Sequence, residues 1–230
     1  MLPFARLTVI GLGLIGSSVA RAVKAQMPSV RITGHDADPA VRDRAIALGI
    51  CDDVTDTAGA SVIDADLVIL CVPVGAMGAV AKEFAADLPA DAIVSDVGSC
   101  KQSVAEALAA VLPNAMIIPA HPVAGTEKSG PDAGFSTLFK GRWCILTPPE
   151  NAPEAAVERL RSFWQRLGAD VEIMDARHHD MVLAVTSHPP HLIAYTFVAT
   201  ADDLEGAPQS EDPKYSAARS RDFTPTAPSP

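Results

Sequence analysis

The stretch RLTVIGLGLIGSSVA, residues 6–20, places three closely spaced glycines between an apolar run and a helical pattern. The run RLTVI has the composition of a β-strand, and residues 14–26 have the spacing of an α-helix. Gly11, Gly13 and Gly16 therefore lie where a strand turns directly into a helix. The same strand-then-helix unit recurs along the first 175 residues, so this stretch opens an alternating α/β architecture.

Six further apolar runs are predicted to be strands, and helical patterns separate most of them. The predicted strands are RITGHD, DLVILCV, AIVSDVG, MIIPAHPV, RWCILTPP and VEIMD, and the predicted helices cover about residues 39–48, 76–87, 102–112 and 153–167. Strands that alternate with helices form βαβ units with right-handed crossovers. The sequence therefore predicts a doubly wound, Rossmann-type α/β domain with its ligand at the carboxyl ends of the strands.

The pattern changes after Asp175, where one long helical run begins and is interrupted by Pro189 and Pro190. We therefore expect two domains. Residues 1–175 are predicted to form the dinucleotide-binding Rossmann domain. Residues 176–230 are predicted to form a partial helical region for substrate binding and dimerisation, irregular after about residue 205.

Composition limits the classes of binding partner and indicates the cellular compartment. A formal net charge of −10 argues against nucleic acid as a partner. Residues 6–20 are interpreted as the glycine turn rather than a signal peptide, and no other stretch is apolar enough to span a membrane. The scattered cysteines lack a CxxC pair, which favours reduced thiols in the cytoplasm and no metal site; they are Cys51, Cys71, Cys100 and Cys144.

The glycine turn has the context of a dinucleotide site, because it follows a strand, opens a helix and precedes Asp36 at the expected distance. Gly11 allows the tight turn, Gly13 lets the backbone approach a pyrophosphate, and Gly16 lets the helix pack on the strand. Asp36 would accept hydrogen bonds from ribose hydroxyls and repel a 2′-phosphate, which favours NAD over NADP. Arg42 and Arg44 leave NADP open.

The predicted cofactor-binding residues form two loops at one sheet edge. They are Gly11, Leu12, Gly13, Leu14, Ile15, Gly16, Asp36, Val72, Pro73 and Ser99. For Val72 and Pro73, an ordinary turn between a strand and a helix is an equally good interpretation.

His121 is the candidate catalytic group, because it ends a predicted strand at the same edge and its side chain titrates near neutrality. Ser99 is placed to hydrogen-bond the imidazole and orient it. His188 and His191 flank the double proline and could reach the cleft from the helical region. His178 and His179 are interpreted as capping or surface residues near a helix start.

Several motifs together resemble the prephenate/arogenate (cyclohexadienyl) dehydrogenase family. They are GLGLIGSS, DVGSCK, HPVAGTEKSGP, GFSTLFKGRWCILTPPE and HHDMVLAVTSHPPHLIAYTF, and the resemblance runs from about residue 5 to 200. It implies NAD-dependent oxidative decarboxylation in tyrosine biosynthesis. Prephenate would yield 4-hydroxyphenylpyruvate and carbon dioxide, and arogenate would yield tyrosine.

The resemblance also implies roles for five residues. His121 would take the proton of the ring hydroxyl, and Ser99 would bridge this histidine, the substrate and the nicotinamide. Thr126 would lie near the substrate and nicotinamide, while Ser187 and His191 would approach the substrate from the helical region. The family implies a homodimer formed through a complete helical region.

The sequence departs from the family near its end. The family motif resembles KYSAGGFRDFTR, whereas this chain has KYSAARSRDFTP, so Pro225 stands where a carboxylate-binding arginine is expected. Arg219 or Arg221 could substitute for it, although neither occupies the matching position. An alternative interpretation is therefore a truncated, NAD-binding chain with impaired catalysis. A third is a dehydrogenase of 3-hydroxy acids, against which the HPVAGTEKSGP loop argues.

Overall fold

The computed structural model describes residues 2–186, in which nine strands and seven α-helices follow one another along the chain. Their order is β1 (Arg6–Ile10), α1 (Leu14–Gln26), β2 (Arg31–His35), α2 (Pro39–Ala47), β3 (Asp53–Thr55), α3 (Ala58–Val62), β4 (Leu67–Leu70), α4 (Met77–Phe84), β5 (Ile93–Asp96), α5 (Gln102–Val111), β6 (Met116–Ile117), β7 (Ala120–Pro122), β8 (Trp143–Leu146), α6 (Glu154–Arg166), β9 (Asp170–Ile173) and α7 (Ala176–Thr186). The chain divides into two compact units, Met1–Asp180 and Met181–Pro230.

Six strands form one sheet in the order β3-β2-β1-β4-β5-β6. All five pairings are parallel, and Ile10 at the end of β1 is in register with His35 of β2 and Leu70 of β4. This is the strand order of a doubly wound dinucleotide-binding fold, which confirms the predicted fold class. The order of connection reverses between β1 and β4, so a ligand crevice is expected beyond the ends of these two strands.

The core consists of two apolar clusters on opposite faces of this sheet. Along β4, Leu67 and Ile69 belong to one cluster, and the alternate residues Val68 and Leu70 belong to the other. This alternation follows from the two-residue period of a strand, and all four side chains are buried because helices cover both faces. Helix α6 buries the predicted face through Leu160, Phe163 and Trp164, and Leu167 directly after the helix is buried with them.

A second sheet of three strands has the order β7-β8-β9, with β7 antiparallel and β9 parallel to β8. MIIPAHPV was predicted to be one strand, but the structure divides it between the two sheets. The amide of Ile118 donates to Val94 on β5, whereas the carbonyl of Pro119 accepts from Thr147 after β8. Amides that face one neighbouring strand alternate along the chain, so the next donor toward β5 after Ile118 is Ala120. Its amide donates to the side chain of Asp96 at 3.2 Å instead of to the β5 backbone, so the ladder with β5 ends at Ile118.

Strand β3 and helix α3 were not predicted. They are short and lack the sustained apolar period on which the sequence prediction depended.

The described part of the chain, residues 2–186, contains no helix long and apolar enough to cross a membrane. All four cysteines lie within it and are free thiols. In the same residues, no three His, Cys, Asp or Glu side chains cluster in a way that could hold a metal ion.

Candidate functional site

The glycine turn after β1 is shaped by close contacts of the backbone. Gly11 has φ of 94°, and a Cβ added there would lie 2.5 Å from the carbonyl oxygen of Cys71. A Cβ on Gly16 would overlap the carbonyl oxygen of Gly11, so only glycine lets helix α1 approach the turn this closely. The two glycines therefore place the start of α1 directly beyond the end of β1.

Gly13 differs from its two neighbours because it faces open space. A Cβ at this position would meet nothing within 4 Å, and Gly13 provides no side-chain cap for the thirteen-residue helix α1. The amide groups of the first helical turn and the positive end of the helix dipole can then bind an anion that approaches the backbone closely. The turn fits the pyrophosphate of a dinucleotide.

Asp36 follows β2 and lies beside this turn. One carboxylate oxygen accepts from the amide of Leu12 at 2.8 Å, and the other accepts from the amide of Asp38 at 3.0 Å. Each oxygen has further lone-pair capacity, so the half-buried carboxylate is held in place and can accept from ribose hydroxyls.

The two arginines that left NADP open are engaged with other groups. Arg42 donates to the backbone carbonyl of Asp36 at 2.8 Å and lies 3.3 Å from the carboxylate of Asp56. Arg44 forms a two-pronged contact with Asp132, and this guanidinium lowers the pKa of the Asp132 carboxyl. Both arrangements support NAD rather than NADP.

The other predicted cofactor residues surround the turn. Leu12 is buried, while Leu14 and Ile15 are half-buried in the first turn of α1. After β4, Val72 adjoins the turn, because a Cβ on Gly11 would lie 3.0 Å from a Val72 methyl group. Pro73 is exposed in the same loop.

A buried ion pair links the end of β5 to the start of α5. Nζ of Lys101 lies 2.5 Å from Oδ2 of Asp96, and neither side chain is exposed. Lys101 also donates to the carbonyl of Ala120 at 2.7 Å, and the amide of Ala120 donates to Asp96 at 3.2 Å. The pair therefore holds both peptide groups of the residue that precedes His121.

His121 lies on β7, is almost fully buried and takes part in a chain of three side chains. Its Nδ1 atom is 2.9 Å from Nε2 of His179, whose Nδ1 atom is 2.8 Å from Oδ1 of Asp180. The carboxylate of Asp180 accepts from the backbone amides of Lys101 at 2.7 Å and Gln102 at 3.0 Å. We call His121, His179 and Asp180 the histidine chain.

The prediction that His179 is a capping or surface residue is wrong. His179 is fully buried against His121, whereas its neighbour His178 is exposed, as predicted. Adjacent residues point in different directions from a helix, and two consecutive histidines do not by themselves indicate which one faces inward. The available signal was the four-residue spacing from His179 to the apolar Leu183.

Burial and charge shift the pKa values of this region in different directions. Burial lowers the pKa of His179 below its ordinary value, against the opposing effect of Asp180. Burial would raise the pKa of Asp180, but the two amide donors and His179 together bring it below the usual range. Burial raises the pKa of Asp96 and lowers that of Lys101, and each charge opposes the shift of the other.

The remaining predicted site residues fall into two groups. Ser99 is exposed in the turn between β5 and α5, and Thr126 is exposed in the loop after β7, where its hydroxyl accepts from the amide of Lys128. Residues at the helical end of the prediction lie outside the described residues; they are Ser187, His188, His191, Arg219, Arg221 and Pro225. Asp96, Lys101 and Asp180 were not predicted as members of the site, although the motifs DVGSCK and HHD contain them.

The described residues form a Rossmann domain with an open glycine turn, an acidic residue after β2 and a buried histidine on β7. These are features of a nicotinamide-dependent dehydrogenase. The family model for the nucleotide-binding domain of prephenate dehydrogenase matches residues 19–173, and the model for its dimerization domain matches residues 175–230. The chain belongs to the prephenate dehydrogenase family, as its motifs predicted.

Two curated relatives illustrate the similarity. The chain is 47% identical over 224 residues to a cyclohexadienyl dehydrogenase of Zymomonas mobilis, covering 97% of this chain and 76% of that protein. It is 36% identical to a prephenate dehydrogenase of Bacillus subtilis, covering 82% of this chain and 51% of the relative. The chain thus spans about three quarters of the first relative and half of the second.

Solved structures agree with this assignment. The prephenate dehydrogenase of A. aeolicus, solved with hydroxyphenyl propionate and NAD+, has a TM-score of 0.86 at 31% identity and covers 99% of this chain and 78% of that chain. A 3-hydroxyisobutyrate dehydrogenase from Mycobacterium tuberculosis has a TM-score of 0.64 at 15% identity, covering 89% of this chain and 64% of that chain, which shows a shared fold alone. The third interpretation, a 3-hydroxy acid dehydrogenase, gains no support from that likeness.

Proposed function

We propose that this chain catalyses the NAD-dependent oxidative decarboxylation of prephenate or arogenate. The observation that carries the proposal is the buried His121, which contacts His179 through Nδ1 and follows Ala120, a residue bonded to Asp96 at the carboxyl end of β5. The 47% identity to a named cyclohexadienyl dehydrogenase supports the substrate class. None of the comparisons favours the alternative of an NAD-binding chain with impaired catalysis.

The glycine turn and Asp36 would hold the cofactor. The amides at the start of α1 would bind the pyrophosphate, and the Asp36 carboxylate would accept from the ribose hydroxyls. NAD, when bound, supplies the acceptor for a hydride. Val72 and Pro73 would pack beneath the bound rings, and Ser99 would approach the nicotinamide from the turn after β5.

His121 would remove the proton of the substrate's ring hydroxyl as the same carbon gives up a hydride. Loss of the carboxylate as carbon dioxide then leaves an aromatic ring, so the reaction has a strong intrinsic driving force. The protein's task is to orient the substrate and to accept one proton at the right place. Thr126, Ser187 and His191 are proposed substrate contacts on the basis of the family motifs.

We retain the predicted division into a Rossmann domain, residues 1–175, and a helical region for substrate binding and dimerisation, residues 176–230. The two family models, which meet between residues 173 and 175, support it. The description of the second model as a dimerization domain supports a homodimer, and the free thiols support a cytoplasmic location.

Turnover can be tested with purified protein and each substrate in separate reactions. The protein is mixed with NAD and either prephenate or arogenate, NADH absorbance is followed, and the products are identified by mass spectrometry. A third reaction replaces NAD with NADP and should be much slower. Absence of turnover with both substrates, in protein that is folded and binds NAD, would overturn the proposal.

A further inference from the structure

The histidine chain contains two side chains to which neither the motifs nor the comparisons assign a role. We propose that His179 and Asp180 are positioning residues that hold His121 in the tautomer with its proton on Nδ1 and its lone pair on Nε2. His121 would then present a proton acceptor at Nε2. This inference rests on the proposed function of His121 as the base.

The assignment of protons starts at Asp180. Its carboxylate accepts from the backbone amides of Lys101 and Gln102 at 2.7 and 3.0 Å. Because these donors favour the ionised form, the carboxylate can only accept a hydrogen bond at neutral pH. The contact of 2.8 Å with Nδ1 of His179 therefore requires a proton on that nitrogen.

The position of the proton on His179 determines the position of the proton on His121. His179 is fully buried, and burial favours its neutral form, which carries a single N–H. Since that proton is on Nδ1, Nε2 of His179 is an acceptor. Nδ1 of His121, 2.9 Å away, must then donate, and the lone pair of a neutral His121 resides on Nε2. The same logic applies when a carboxylate fixes the tautomer of a catalytic histidine.

Both ends of the histidine chain are tied to one turn. Lys101 donates its backbone amide to Asp180, and its ammonium group to Asp96 and to the carbonyl of Ala120, next to His121. Among the described residues 2–186, Asp180, Lys101 and Asp96 carry charges that act on His179. This common anchor fixes the backbone next to His121 relative to Asp180, and the contact of 2.9 Å with His179 then orients the His121 ring.

Adjacent histidines provide a matched kinetic test. His179→Phe keeps an aromatic ring but removes the acceptor, and His178→Phe makes the same change at an exposed neighbour. We expect kcat to fall about 10²-fold or more in His179→Phe, with the KM for substrate and the affinity for NAD changed less than about threefold. His178→Phe should keep wild-type kinetics. His179→Gln, which restores a carbonyl acceptor, should recover part of kcat.

A spectroscopic measurement reads the tautomer without turnover. Two-bond proton–nitrogen correlation spectra of the full chain, labelled with 15N-histidine, distinguish protonation at Nδ1 from protonation at Nε2. His121→Asn and His179→Phe assign the two signals, which we expect to show Nδ1–H in both rings. Because this measurement needs no substrate, it separates failure of the inference from failure of the proposed function.

Either of two results would overturn the inference. One is a wild-type His121 protonated at Nε2 when neutral, and the other is a folded His179→Phe protein whose kcat stays within about twofold of wild type. If His179→Phe does not fold, the protonation of His121 in the wild-type spectrum alone tests the inference.

Discussion

The glycine turn and the histidine chain are built in opposite ways at the same sheet edge. The turn uses backbone groups and residues that are near one another in sequence, from Gly11 to Asp36, and leaves space open at Gly13. The histidine chain and its ion pair join side chains from Asp96 to Asp180 and bury all of them except Asp180, which is half-buried. The turn is a surface for a ligand, whereas the second region is a polar core whose members must satisfy one another.

The largest expected effect is a loss of turnover without a loss of NAD binding. His121→Asn removes the proposed base and should lower turnover by about 10³-fold, within the range typical of general-base loss. The glycine turn is untouched, so NAD affinity should stay near the wild-type value. Steady-state kinetics and calorimetric titration with NAD measure the two quantities, and an equal loss of both would contradict the assigned role.

The second test compares a buried ion pair with an exposed one. Lys101→Met leaves the Asp96 carboxylate buried without its counter-charge, so we expect a loss of about 3–5 kcal/mol in the free energy of unfolding. Arg44→Met breaks the exposed contact with Asp132 and should leave the denaturation midpoint unchanged. Urea titrations compare the two variants, and similar midpoints would show that burial does not distinguish these pairs.

The third test compares two glycines of the turn, one proposed to admit the cofactor and one required for packing. Gly13→Ala places a methyl group where the structure has open space, so the free protein should keep its melting temperature. Binding of NAD should weaken by about tenfold or more, since the methyl group obstructs close approach of the pyrophosphate. Gly16→Ala drives its methyl group into the carbonyl of Gly11 and should lower stability. Unchanged NAD affinity in Gly13→Ala would place the pyrophosphate elsewhere.

The smallest expected effect is the pH dependence of stability that His179 contributes. Its pKa is lowered in the folded protein, so the unfolded chain binds this proton at a higher pH. Stability should therefore decrease as the pH falls below about 6.5, by at most about 1.4 kcal/mol per pH unit from this group. Asp180, whose pKa is also lowered, adds a separate loss below about pH 4.

Melting temperatures of three proteins between about pH 7.5 and 5.5 isolate the contribution of His179. His179→Phe should show a flatter dependence than wild type, and His178→Phe should follow wild type. Parallel curves for all three proteins would mean that burial does not shift this histidine.

The parts of the fold that were predicted correctly depend on short-range patterns. Helix α1 was expected over the residues that form it, and the buried face of α6 was identified from its period. The change of sheets at Pro119 was not predicted, because the strands on both sides are apolar and the choice of partner strand depends on residues far along the chain. Short elements such as β3 were missed for lack of a periodic signal.

The amino-acid sequence by itself determined the alternation of strands and helices, the position of the glycine turn, and the choice of Asp36 and His121 as candidates. These features are encoded by residues close together, where glycine geometry and the periods of strands and helices apply directly. Only the tertiary structure decided that Lys101 neutralises Asp96 and that His179, rather than His178, supports His121. The physical reason is that buried polar groups need partners, and folding selects those partners from distant parts of the chain.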